Sequence, residues 1–124
     1  GSWGHGARNF VLGNRMPMCD VICAADDDDT LDPTHFQTVR VVAAAYPGSL
    51  LMFRMRYQNG YVIWQDEKIE IKNVGTPMFV VPNTGNWGVW GSEHSGDMDF
   101  IRDTAAKHDG NVVWRDEIIY HVGN

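Results

Sequence analysis

Asn59-Gly60-Tyr61-Val62-Ile63-Trp64-Gln65-Asp66-Glu67-Lys68-Ile69 is nearly repeated by Asp109-Gly110-Asn111-Val112-Val113-Trp114-Arg115-Asp116-Glu117-Ile118-Ile119. In both copies a turn dipeptide leads into a β-branched pair and a tryptophan, the signature of a chain entering a strand. Trp recurring in register with Gly, Asp and Glu points to a repeated structural unit. It does not by itself point to a repeated active site.

The likeness extends upstream in a second register. Setting Val39-Arg40 on Ile101-Arg102 places Ala43-Ala44 on Ala105-Ala106, Gly48 on Gly110 and Leu50-Leu51 on Val112-Val113. Each unit then reads as helix, glycine stop and apolar strand. The first helix opens at Asp32-Pro33, where Asp suits the N-cap and Pro the first turn. Its apolar face is Phe36, Val39, Ala43 and Tyr46, and Pro47-Gly48 ends it. Leu51, Phe53, Met55 and Tyr57 alternate with Met52, Arg54 and Arg56, which predicts a half-exposed strand. Asn59-Gly60 turns it back antiparallel.

Beyond Trp64 the alternation changes phase, with Ile69 and Ile71 on the other parity, so a bulge or bend near Asp66-Glu67 is expected. Met78 to Val81 and Trp87 to Trp90 flank Pro82-Asn83-Thr84-Gly85-Asn86 as a second hairpin. Ser95 or Asp97 caps a second helix with Met98, Ile101 and Ala105 inward, and residues 111 to 122 form the last strand. Residues 18 to 24 suit a short buried strand, and residues 1 to 12 a loose arm.

This order resembles the split βαβ, ferredoxin-like plan with an inserted hairpin. The expected fold is a single α+β domain over residues 1–124, an antiparallel or mixed sheet with two helices on one face. A cone-shaped cystatin-like or nuclear-transport-factor-like sheet is the rival topology.

At 124 residues the chain can bury a core without staples, and 44% hydrophobic with 21% charged residues is ordinary globular composition. The net charge of −6, sixteen acids against ten bases, argues against a nucleic-acid partner. No apolar run approaches ~18 residues, and no basic region followed by an apolar core opens the chain, so neither a membrane span nor a leader is expected. Cys19 and Cys23 would stand ~13 Å apart on a strand, too far for a disulfide. They read as buried thiols, and the expected location is cytoplasmic.

Four features bear on chemistry. The two Asp-Glu pairs, Asp66/Glu67 and Asp116/Glu117, would form an acid–base pair only if brought face to face; the plainer reading is strand ends in solvent. Asp26 to Asp29 with Asp32 lack the glycine turn and terminal bidentate Glu of an EF-hand, which leaves an acidic loop favoured at a helix N-terminus. His5, His35, His94, His108 and His121 are scattered, so no metal site and no cofactor is expected. The glycine-rich run Thr84 to Gly91 presents Trp87 and Trp90 with backbone open beside them, and His94 follows.

The leading expectation is a small-molecule binder with an aromatic-lined pocket, its ligand-binding residues Trp87, Trp90, His94, Trp64 and Trp114, and no identifiable catalytic machinery. One alternative is an acidic interaction module, of inhibitor or immunity type, that masks a basic partner protein. Another is a small hydrolase or isomerase using a buried carboxylate or His. A homodimer is the expected assembly, since twofold pairs dominate soluble oligomers.

Overall fold

The computed structural model describes residues 21–25, 29–88 and 96–123. The loose arm expected at residues 1–12, Cys19, Trp90, His94 and the Ser95 cap lie outside them. The elements are β1 (Val21–Ile22), β2 (Thr30–Leu31), α1 (His35–Ala45), β3 (Leu50–Arg56), β4 (Val62–Ile63), a 3-10 turn (Thr76–Met78), β5 (Phe79–Pro82), α2 (Gly96–Lys107) and β6 (Val112–His121). Six strands form one mixed sheet in the order β1-β5-β3-β6-β2, with β4 also paired to β3. With the two helices among the described residues this is a single-domain α+β fold.

Leu50-Leu51 and Val112-Val113, aligned in the sequence, are parallel neighbours: Leu50 pairs with Val112 and Leu51 with Val113. Each strand follows a helix stopped by glycine in the left-handed region, Gly48 at φ 75° and Gly110 at φ 74°. β3 is not half-exposed as its alternation suggests. Leu50, Leu51, Met52, Phe53 and Met55 are all buried, because β6 covers one edge, β5 and β4 the other, and both faces are packed. Such a central strand reads as a nearly continuous apolar run.

The Asn59-Gly60 turn forms as expected. Gly60 has φ 90°, the Tyr57 N–H donates to the Tyr61 carbonyl at 2.7 Å, and Met55 pairs with Ile63. The expected bulge at Asp66-Glu67 is instead an irregular loop wound around the Asn73 side chain. Its Oδ1 accepts from Gln65 N–H (2.8 Å), and its Nδ2 donates to the carbonyls of Asp66 (2.8 Å) and Lys68 (2.6 Å). One amide satisfies three backbone groups there, so the chain needs no strand partner. Ile71 is consequently exposed.

Two further expectations change. Trp87 and Gly88 form no strand: the Gly88 N–H donates to Thr104 Oγ1 at 2.8 Å, tying this segment to α2, and β1 takes the edge of β5. Cys23 is exposed rather than buried, because β1 ends at Ile22 on the edge of the sheet.

Candidate functional site

β1 and β3 are both antiparallel to β5, and β3 and β6 are parallel, so these three strands run one way. In open sheets, ligand crevices lie beyond the carboxyl ends of parallel strands, where chain direction leaves polar loops together. Here that edge gathers Arg56 and Tyr57 from the end of β3, Tyr120 and His121 from the end of β6, and Asp29 and Asp32 around β2.

Each carboxylate is held from β6. Asp29 accepts from the Tyr120 hydroxyl and, at 2.6 Å, from the Gly123 N–H. Asp32 Oδ1 lies 2.8 Å from His121 Nε2, while its Oδ2 accepts from the Thr34 N–H (3.0 Å) and hydroxyl (2.6 Å). The Thr34 hydroxyl, His121 and the Thr34 N–H together hold the Asp32 carboxyl down to about 2. Burial, and then the nearby Tyr61 and Asp29, push the Tyr57 phenol above its ordinary value. The edge thus sets the Asp29 and Asp32 carboxyls near Tyr57, Tyr61 and Tyr120. Asp26, Asp27 and Asp28, between Ala25 and Asp29, lie outside the described residues.

Asp32 does not cap α1; the cap position is Thr34, whose hydroxyl bonds Asp32 and not a helix N–H, and Asp32 closes the turn before it. Asp29 likewise serves the end of β6 rather than a helix N-terminus. The aspartates were visible in the sequence as an acidic run. Tyr57, Tyr120 and His121 carried no local signal, because strand pairing alone brings them to this edge.

Of the expected ligand-binding residues, Trp64, Trp87 and Trp114 are described, and none of them belongs to this edge. Trp64 is buried and meets the half-buried Trp114 edge to face, ring centroids 5.2 Å apart. The Arg54 guanidinium stands 4.2 Å from the Trp64 ring centroid and 3.6 Å from Asp116. Half-buried Trp87 packs on the core. The structure therefore brings Trp64 and Trp114 together, while Trp90 and His94 fall outside the described residues. The two Asp-Glu pairs do not meet as an acid–base pair: Asp116 bonds Arg54, Glu117 bonds Arg115 at 2.8 Å, and Asp66 lies 3.7 Å from Lys68.

A concavity of about 1230 Å³ lies away from this edge, between α1 and the β1–β5 edge. His35 on its wall is 3% exposed, and its Nδ1 has no hydrogen-bond partner. Burial pushes the His35 pKa down. Among the described residues, no group of three or more His, Cys, Asp or Glu side chains is arranged to hold a metal ion. No helix there is long and apolar enough to cross a membrane.

No family model and no curated protein matches the chain. Among solved structures it is similar to S. aureus TarS 1-349, a crystal structure, with a TM-score of 0.68 and 13% identity over 98% of this chain. The chain spans 41% of that structure's length. At this identity the likeness shows the fold alone.

Proposed function

We propose that the chain binds a small polar molecule at the carboxyl edge of its sheet, with a divalent cation as part of the bound unit. The observation behind this reading is the convergence of Asp29, Asp32, Tyr57, Tyr120 and His121 where parallel β3 and β6 end. Asp26-Asp27-Asp28 stand immediately before Asp29 in the sequence. A hard cation such as Mg²⁺ is commonly held by one or two carboxylates, water and the oxygens of an anionic ligand, so no cage of protein ligands is needed. The cation would reconcile an acidic site with an anionic ligand, and the tyrosines would supply hydroxyl donors and apolar walls. Asp29 and Asp32, already bonded, support the edge, and Asp26 to Asp28 are the candidate cation ligands.

Calorimetric titration with Mn²⁺ tests this reading. It expects one site whose affinity rises when inorganic pyrophosphate is present, and at least a tenfold loss in the Asp26→Asn/Asp28→Asn double variant. Absence of heat, together with an unaltered Mn²⁺ paramagnetic resonance spectrum, would overturn it.

A further inference from the structure

The concavity beside α1 holds two polar groups that the fold itself leaves unused. His35 lines it, is 3% exposed, and has no hydrogen-bond partner at Nδ1 among the described residues. A shielded polar atom without a partner costs about 1–3 kcal/mol. Arg40 lines the same wall, is exposed, and makes no ion pair among the described residues. None of the described lining residues is acidic. In a chain of net charge −6, the concavity therefore carries a local charge opposite to that of the whole.

Helical spacing builds this wall. His35, Val39 and Ala43 form one row of α1, and Phe36, Arg40 and Ala44 form the next. Val39 is buried and serves the core, so the open part of the wall is the second row together with His35. The small side chains of Ala43 and Ala44 leave space there, and β1 and β5 contribute apolar Val21 and Pro82. Asp32, close enough to act on His35, is occupied by Thr34 and His121 and does not line the concavity.

We propose that this concavity binds a small aromatic carboxylate, with Arg40 as its counter-charge and His35 as a hydrogen-bond donor. Arg40 stands five residues beyond His35, about 7.5 Å along the axis, a separation that its long side chain spans. Burial pushes the His35 pKa down against the attraction of Asp32, so at neutral pH the imidazole is uncharged and carries one N–H. One cation thus faces one anion. Phe36 and Tyr46, exposed rings on the wall, suit a flat apolar body. The volume of about 1230 Å³ exceeds the roughly 300–1,000 Å³ of common small-molecule pockets, so such a ligand fills part of it and water the rest.

Nuclear magnetic resonance titration of the isotope-labelled chain with sodium naphthoate tests the assignment. A chelator is present, so the result is independent of cation binding at the sheet's carboxyl edge. Saturable shifts are expected at His35, Arg40 and Ala44. Arg40→Gln, a change at an exposed side chain, should weaken naphthoate about fivefold and leave neutral naphthalenemethanol nearly unaffected. His35→Leu should weaken both probes, because both accept a hydrogen bond. Absence of saturable shifts at probe concentrations on the order of 10 mM would overturn the proposal. Shifts confined to Tyr57, Tyr120 and His121 would overturn it too, as would an Arg40→Gln variant that treats the two probes alike. Unchanged affinities in His35→Leu would do the same. If that variant fails to fold, Arg40→Gln decides the matter.

Discussion

Trp64 and Trp114 meet edge to face, ring centroids 5.2 Å apart and planes at 78°. This geometry sets the positive rim of one indole against the negative face of the other. Arg54, 4.2 Å from the Trp64 ring centroid, adds a cation–π contact and reaches Asp116. Trp64→Ala should cost about 3–5 kcal/mol in urea unfolding, because Trp64 is only 7% exposed. A double-mutant cycle with Trp114→Ala should give a coupling of about 1 kcal/mol. A cycle that closes to zero would show that the rings merely share the core.

Asp32 makes stability depend on pH below 4. Its carboxyl is held at about 2 in the fold against an ordinary 3.8. The carboxylate form is thus favoured by folding, so the stabilisation is present above about pH 4 and fades as pH falls toward 2. The stability difference between the natural chain and Asp32→Asn should shrink over that interval in chemical denaturation. A difference that stays constant from pH 5 to 2 would contradict the assigned contacts.

His35 acts in the opposite region. Burial lowers its pKa below the ordinary 6.5, so the unfolded chain binds the proton more readily. Its contribution to stability is therefore lost progressively as pH falls through about 6.5 and below. His35→Leu should flatten the stability profile between pH 7 and 5, read from thermal melts at stepped pH.

Gly88 has no room for a side chain. A Cβ there would collide with Asp103 Cβ and approach the Thr104 backbone nitrogen to 3.1 Å. Gly88→Ala should destabilise by about 1–3 kcal/mol, as overpacking against backbone does. Gly85→Ala meets no neighbour within 4 Å, but it is strained at φ 82° and should cost about 1 kcal/mol. Comparing the two melting temperatures separates contact from backbone strain.

Asn73→Ala should loosen the loop after β4. Three backbone groups each lose a hydrogen bond, although the Asp66 carbonyl keeps the Lys68 N–H, for a cost of about 2 kcal/mol. Hydrogen exchange at Gln65, whose N–H bonds Asn73 Oδ1 at 2.8 Å, should rise by at least tenfold. Unchanged protection would mean that the loop is held by other contacts.

Elements whose signals are local are legible in the amino-acid order. The period of Met98, Ile101 and Ala105, the Asn59-Gly60 turn and the glycines at 48 and 110 give α2, the β3–β4 turn and two helix stops, because a short window contains all the chemistry involved. The shared spacing from Gly48 to Leu50 and from Gly110 to Val112 marked two equivalent strand starts, and strand pairing then set them side by side. On α1 the same periodicity marked Phe36 and Tyr46 for burial, yet inside the described fold the buried residues are His35, Val39 and Val42. The strand order and the polar edge come instead from pairing between distant parts of the chain. Tyr120 reaches Asp29 across 91 residues, and His121 reaches Asp32 across 89. No periodicity or turn residue encodes such pairs. They follow from the register of β2 on β6, which is fixed by burying the core as a whole.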